Sequence, residues 1–150
     1  MASIEIRGME ELLADLQKIE HKAGDLTQVW PLIGRLWKQR EQDVFSSNGR
    51  GRWAPLAAET IRRKAQLGQP RTALIAHRSL SGDLTVATPR FSTPTSAIYG
   101  PPKGAESTRY GKWHVKGTSN MPARNPVPKL SANERRQMVS VIRKWLMEGV

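Results

Sequence analysis

Residues 109–130 read RYGKWHVKGTSNMPARNPVPKL, and the rest of the chain is organised around this stretch and the helix expected after it. It is too aromatic and too regularly punctuated for a linker, and too rich in Gly and Pro for a single element. Tyr110, Trp113 and Val115, set against Lys112, His114 and Lys116, suggest the two faces of a short strand. Gly117 to Asn120 reads as a turn. Met121-Pro122-Ala123-Arg124-Asn125-Pro126-Val127-Pro128 must run extended, because each proline fixes its own φ and biases its predecessor away from helix. Ser131-Ala132-Asn133-Glu134 is a capping box, in which hydroxyl and carboxylate satisfy free N–H groups at a helix start. The segment therefore reads as strand, stiff arm, helix, and the arm calls for a functional explanation.

Downstream, Met138, Val141/Ile142 and Trp145/Leu146 mark the buried stripe of a last helix over residues 131–149, with Arg135, Arg136, Arg143 and Lys144 supplying its charge. Upstream, residues 100–108 read as an exposed, mobile loop. Phe91 to Tyr99 predicts a strand, paired with one over Leu84–Ala87 that is entered through a tight turn at Leu80–Leu84. Gln69 to Ser79 is turn-rich and basic. Pro55 opens a helix with its body at Ala57–Leu67 and its stop at Gly68, and Arg62, Arg63 and Lys64 form a basic run on it. Ser46 to Arg52 is a flexible basic loop whose glycine spacing matches no phosphate-binding fingerprint.

Two amphipathic helices precede that loop. In the second, over residues 26–46, Val29/Trp30, Ile33, Leu36/Trp37 and Val44/Phe45 recur at helical spacing, and Pro31 sits near the start, where its missing N–H costs little. Trp30 and Trp37 share one stripe and are expected to pack in the core against the first helix. That first helix, Met9–Ala23, carries Leu12, Leu13, Leu16 and Ile19 on one side, with acidic residues crowding its first turn. Ser3 to Arg7 alternates like a short edge strand. No repeat or interdomain linker is visible. The expectation is one α+β domain over residues 1–150: long N-terminal helices and a C-terminal helix packed on a small, mostly antiparallel sheet from residues 84–117, joined by residues 3–7.

Bulk composition narrows the function classes. A chain of 150 residues can bury about 68–70% of its unfolded surface. It has no cysteine, which removes disulfides, thiol catalysis and the usual zinc frameworks. No apolar run approaches the ~20 residues of a membrane span, and MASIEIRG does not read as a signal peptide, so synthesis in a cytoplasm and no membrane partner are expected. The net charge of +11 is uneven: residues 1–50 hold 7 Lys/Arg against 8 Asp/Glu, residues 51–100 hold 7 against 2, and residues 101–150 hold 10 against 3. A neutral first third and a basic remainder point to an acidic partner, whether nucleic acid, an anionic surface or a protein.

The parts of a catalytic site are missing from the pattern. His21, His77 and His114 show no metal-ligand spacing, so neither a metal nor a cofactor is expected. Asp83 and Glu106 stand nearly alone in the basic part, which leaves no carboxylate pair, and Ser79, Ser81 and Gly82 do not form a nucleophile elbow. A hydrolase would need such groups gathered by the fold. Nucleic-acid binding has the charge, and nearby aromatics at Trp53, Tyr110 and Trp113, but no recognisable motif. The reading is a non-enzyme.

With these landmarks in place, residues 40–147 resemble the phage virion-morphogenesis or tail-completion proteins, a family of small head–tail-joining components. The resemblance rests on Phe45 before a Gly-containing loop, then Trp53-x-Pro55-Leu56-x-x-x-Thr60-x-x-x-Lys64. It continues through Leu80-Ser81-Gly82-Asp83-Leu84, Ile98-Tyr99-Gly100 and Tyr110-Gly111-x-Trp113-His114-x-x-Gly117. It closes with Met121-Pro122-Ala123-Arg124 and a helix ending in Trp145-Leu146. Gly111 stands where the family has Ala, Asn125 where a proline commonly follows the Arg, and residues 68–79 are longer and more basic.

The resemblance implies a structural virion component, a neck or tail-completion subunit made in the host cytoplasm and placed in the virion. It implies a homo-oligomeric ring, for which sixfold symmetry is customary, docked to neighbouring neck, connector or tail proteins. Incidental contact with DNA in a channel is the accompanying expectation, and a non-specific DNA-binding accessory protein is the alternative. A Pro-rich arm loses little entropy on ordering and suits a strap between subunits. The contact residues expected on this basis are Trp113, His114, Met121, Pro122, Arg124, Pro126 and Pro128, with Arg124 equally readable as a buried anchor to a carboxylate or carbonyl.

Overall fold

The computed structural model describes residues 9–74, 79–101 and 105–148. Among them are six helices and one two-stranded antiparallel sheet, an α+β fold: α1 (Met9–Gly24), α2 (Trp30–Ser46), α3 (Ala58–Gln66), α4 (Ser79–Leu84), β1 (Phe91–Thr93), β2 (Ser96–Ile98), α5 (Glu106–Lys116) and α6 (Ala132–Met147). The edge strand expected over residues 3–7 lies outside the described residues.

Helix α2 is the axis. Pro31 occupies its first turn, where no intrahelical N–H is lost, and Val29 carbonyl accepts from Leu32 and Ile33 amides to start the spiral. The C-terminal end of α2 buries Val44 and Phe45 with Trp53, Ala73, Leu80 and Leu84; its N-terminal end buries Trp30 and Ile33, next to Val29, against Tyr99 and the inner stripe of α6. That inner stripe is Met138, Val141, Ile142 and Trp145, as the helical spacing predicted, each half-buried. Helix α6 starts at the expected capping box: Ser131 hydroxyl accepts from Glu134 amide, and Glu134 carboxylate accepts from Ser131 amide.

Trp30 is a core residue as expected, whereas Trp37 is only half-buried, and the partners of both differ from the expected first helix. Trp30 Nε1 donates to Thr93 carbonyl at 2.8 Å, and Trp37 Nε1 donates to Leu84 carbonyl at 2.9 Å. Trp37 stacks on Tyr99 at 6.1 Å, and Tyr99 hydroxyl donates to Trp30 carbonyl at 2.5 Å. The β1–β2 hairpin (register Phe91↔Ile98, Ser92↔Ala97, Thr93↔Ser96) is thereby pinned to the start of α2, helped by Leu26 amide donating to Pro94 carbonyl at 2.8 Å. Helix α1 instead meets α6, where Lys22 Nζ donates to Trp145 and Glu148 carbonyls.

Three expectations are corrected. Residues 110–116 belong to α5, not a strand: Tyr110 and Trp113 are three apart, a helical spacing, and a strand there would need a sheet edge to satisfy its backbone. The same helix replaces most of the expected mobile loop at 105–108, because fully buried Ser107 hydroxyl donates to Asp83 carboxylate and locks α5 onto α4. Leu80 and Leu84, four apart and both buried, lie on one face of α4 rather than in a turn leading to a strand, so the sheet shrinks to the hairpin.

The expected flexible loop at 46–52 is an ordered left-handed turn. Asn48, Gly49, Arg50 and Gly51 all take positive φ, between 50° and 73°. The two non-glycines there cost roughly 1–2 kcal/mol each. Backbone bonds offset this: Gly49 amide to Val44 carbonyl at 2.7 Å and Trp53 amide to Asn48 carbonyl at 3.1 Å. A Cβ on Gly49 would lie 2.3 Å from the Trp53 indole, so the turn and the Phe45–Trp53 edge contact form one packed unit.

Gly34 shows how closely the 84–90 segment approaches α2. A Cβ there would sit 1.6 Å from Ala87 carbonyl oxygen, which is backbone and cannot swing away. Gly34→Ala should therefore destabilise the protein by about 1–3 kcal/mol and lower Tm by several degrees. Gly24→Ala, with nothing within 4 Å of the new methyl, should leave Tm unchanged or slightly raised. Thermal unfolding of the two variants checks both; equal Tm values would show that the 84–90 segment does not press on α2.

Candidate functional site

The arm is built from carbonyls in need of donors. Residues 122, 126 and 128 of the arm, and residue 55 facing it, are prolines without N–H groups, so no regular ladder can form between the extended segments. Side chains supply the donors instead. Arg124 Nε donates to Ala54 carbonyl and Nη2 to Pro55 carbonyl, both at 2.9 Å. Trp53 Nε1 donates to Asn125 carbonyl at 3.0 Å, and Arg40 Nη2 donates to Pro128 carbonyl. Asn125 Oδ1 accepts from Val127 amide at 3.0 Å, fixing the local turn.

The arm's N-terminal hinge is equally specified. Gly117 closes α5 by donating to Trp113 carbonyl at 2.7 Å, with φ 74°. Its missing Cβ would meet Ala123 nitrogen at 2.8 Å. Thr118 and Met121 exchange backbone hydrogen bonds, and Arg124 amide donates to His114 carbonyl at 2.7 Å. The chain therefore doubles back so that Arg124 lies beside α5.

This sorts the expected contact residues. Arg124 is the buried carbonyl anchor, and Pro126 is buried with it, so both are committed to contacts within the chain. His114, Met121 and Pro128 are half-buried. Burial, and then the nearby Arg124 charge, lower the His114 pKa, which keeps the imidazole neutral at pH 7. Pro122 is exposed, and Trp113 is 50% exposed with Lys112 Nζ 5.4 Å from its ring centroid. Of the seven, Trp113 and Pro122 offer the freest surface.

The arm ends at a buried ionic knot that sequence reasoning missed. Arg40 and Glu41 are adjacent on α2 and both buried, Glu41 with 0% exposure. Arg40 donates to Glu41 carboxylate, and its Nε lies 3.1 Å from Glu134 Oε1; Arg50 from the left-handed turn also pairs with Glu134. Burial pushes the Glu41 carboxyl up to about 7, only partly opposed by Arg40. Burial also opposes ionisation of Glu134, but Arg50, the Ser131 groups and Arg40 outweigh it and hold that carboxyl at about 2. A signal for Arg40 existed: with Ile33, Trp37 and Val44 it falls on the apolar stripe of α2. Lys64, taken as one of an exposed basic run, is likewise buried, its Nζ donating to Pro70 and Thr72 carbonyls.

The cleft of about 420 Å³ between α2 and α6 is lined by this knot, whose charges are already answered by one another. Among the described residues no group of three or more His, Asp or Glu side chains converges as a metal-ligand set, and no helix is long and apolar enough to cross a membrane. What the described surface does present is apolar. Leu12, Leu13 and Leu16 of α1 are 51–54% exposed, Phe91 and Ile98 form an exposed cross-strand pair, and Val139 and Met147 stand on the outer side of α6. No protein-family model, curated protein or solved structure matches the chain.

Two outcomes follow from the arm and the knot. Arg124→Lys replaces a planar fork by a single ammonium and should cost about 1–3 kcal/mol, read as a lower denaturant midpoint with faster hydrogen exchange at the amides of residues 124 and 127. Glu41 has a folded pKa above its unfolded value of about 4.5, so its contribution to stability is complete below pH ~4.5 and is lost as pH rises through about 7. Glu41→Gln should therefore be more stable than wild type at pH 8 by on the order of 1–3 kcal/mol, the gap closing toward pH 4.5. Denaturant melts of both proteins across that range measure it, and a gap independent of pH would count against an elevated Glu41 pKa.

Proposed function

We propose that the protein is a structural component of a tailed-phage virion: a tail-completion or neck subunit, not an enzyme, that assembles with copies of itself as a ring and helps join head to tail. The order of landmarks from Phe45 to Trp145-Leu146 supports the phage assignment. The observation that carries the assembling part is uncovered surface. Twelve large apolar side chains are exposed among the described residues, with Leu12, Leu13 and Leu16 grouped on one side of α1 and Phe91 paired with Ile98 on the hairpin. An isolated protein rarely leaves its apolar groups so open, and a subunit does so where neighbours dock.

In this reading the stapled arm stiffens each subunit rather than tying it to the next. Trp113 and Pro122 beside it remain free to meet a neighbouring neck, connector or tail protein. The decisive experiment is mass spectrometry and immunogold electron microscopy on gradient-purified virions of the phage whose genome encodes the chain. Its peptides should be present in a few copies per particle, with gold at the head–tail junction. Virions that lack it, and that form normally when its gene is deleted, overturn the reading.

A second reading, a non-specific DNA-binding accessory protein, is favoured by one observation: Arg135, Arg136 and Arg143 on the outer side of α6 have no ion-pair partner among the described residues. Duplex binding that falls steeply with salt, by a protein that stays monomeric, selects that reading.

A further inference from the structure

We propose that copies of this chain join head to tail through one helix pair: the Leu12–Leu13–Leu16 face of α1 from one copy lies along the Arg136–Val139–Arg143 face of α6 from the next. The proposal rests on the assembling-subunit reading above and names its contact.

Among the described residues each half is unpartnered. Helix α1 is held to its own α6 at its C-terminal end, where Lys22 Nζ sits 5.1 Å from the centroid of the Trp145 ring and donates to Trp145 carbonyl. Its first two turns carry the three half-exposed leucines, flanked by Glu10 and Glu20, which have no ion-pair partner among the described residues. On α6 the outer side is an open trough of about 640 Å³ lined by Ala132, Arg135, Arg136, Val139, Ser140 and Arg143, with Val139 53% exposed at its floor. The Trp145 stripe that receives the same copy's α1 lies on the opposite side of α6, so one copy cannot make both contacts by itself.

The two faces match in sign and spacing. Each has an apolar centre bracketed by charge: acids at 10 and 20, roughly 15 Å apart along α1, and arginines at 135–136 and 143, roughly 11–12 Å apart along α6. Long arginine side chains span the difference. A twofold pairing of α1 with α1 would set acid against acid, and α6 with α6 would set arginine against arginine, so like charge opposes both symmetric dimers. The favoured contact uses two different patches on each copy. Such a contact repeats from copy to copy and closes into a ring when the rotation per step divides a full turn.

The test uses the full chain, which has no native cysteine. Leu16→Cys and Val139→Cys variants, each with wild-type Tm, are reduced and then oxidised, each alone and as an equimolar mixture. The mixture should yield a covalent dimer and either variant alone should not, while a chain carrying both substitutions should give a ladder of higher oligomers. In parallel, Arg136→Glu with Arg143→Glu should raise at least tenfold the concentration at which the oligomer half-dissociates by light scattering. Adding Glu10→Lys and Glu20→Lys to the same chain should restore it. Dimers from Leu16→Cys alone would establish a symmetric pairing and overturn the proposal. So would a wild-type monomer with no cross-linking, or charge reversals that abolish duplex binding while leaving the mass unchanged. Because the readouts are mass and cross-linking of the pure protein, a failure here leaves the virion experiment standing, and the reverse also holds.

Discussion

A guanidinium removed from water must have its donors answered, and Arg40 at the centre of α2 is the group around which the rest is arranged. Desolvating each ion of a buried pair costs several kcal/mol, repaid only when geometry and further hydrogen bonds are good. Arg40 meets this demand with hydrogen bonds to Glu41 beside it and to Pro128 carbonyl at the end of the arm, and with the charge of Glu134 from α6, which lies 3.1 Å from an Nε that makes no hydrogen bond. The second oxygen of Glu41 has no hydrogen-bond partner, which agrees with a carboxyl that holds its proton up to about pH 7. Glu134 then carries the negative charge, shared with Arg50 at the rim and tied to the helix start through the capping box. No residue of α6 is fully buried. Its placement depends on this polar geometry as much as on its half-buried apolar stripe.

The arm extends the same logic. An extended segment normally satisfies its backbone in a sheet, but four prolines across the two facing segments remove the N–H groups a ladder requires. The carbonyls that remain are met by long side chains anchored elsewhere: the Trp53 indole, the Arg40 guanidinium and, in the other direction, the Arg124 fork on Ala54 and Pro55. Prolines also narrow the unfolded ensemble, so fixing the arm costs less chain entropy than its length suggests. The result is a rigid brace joining α5, the Trp53 turn, α2 and α6, and it leaves little of the arm itself free to reach a neighbour.

Local signals in the sequence were legible, and contacts between distant residues were not. The α1, α2 and α6 helices are announced by three-to-four spacing, α3 by Pro55 before it and Gly68 after it, and the start of α6 by a capping box, all of which act within a few residues. The identity of 106–116 depends instead on Ser107 reaching Asp83, a contact invisible in any short window. Leu80 and Leu84 obeyed a helical spacing that the nearby Gly82 obscured. At the candidate site, Arg124 could be read as an anchor, while Arg40, Glu41 and Lys64 were hidden because a charge on a helix is ordinarily a solvated one. Their positions on apolar stripes were the available clue. The exposed leucines of α1 were the converse case: the pattern marks an apolar face but not what covers it.

The uneven charge of the chain acquires a physical role in an assembly. Copies carrying +11 each repel as they approach, and beyond the Debye length, roughly 8 Å at physiological salt, even that repulsion is largely screened, so nothing long-ranged draws them together. Association must come from short-range terms, and an acidic α1 meeting a basic α6 face around apolar side chains provides attraction only once the faces touch. Added salt screens the general repulsion more than it screens partly desolvated pairs, so moderate salt should assist contact between copies. A contact with DNA behaves oppositely, because each neutralised phosphate releases counterions and binding weakens steadily as salt rises. The same arginines therefore give opposite salt responses depending on whether a protein or a duplex covers them, and that difference in sign is built into the chemistry of the two partners.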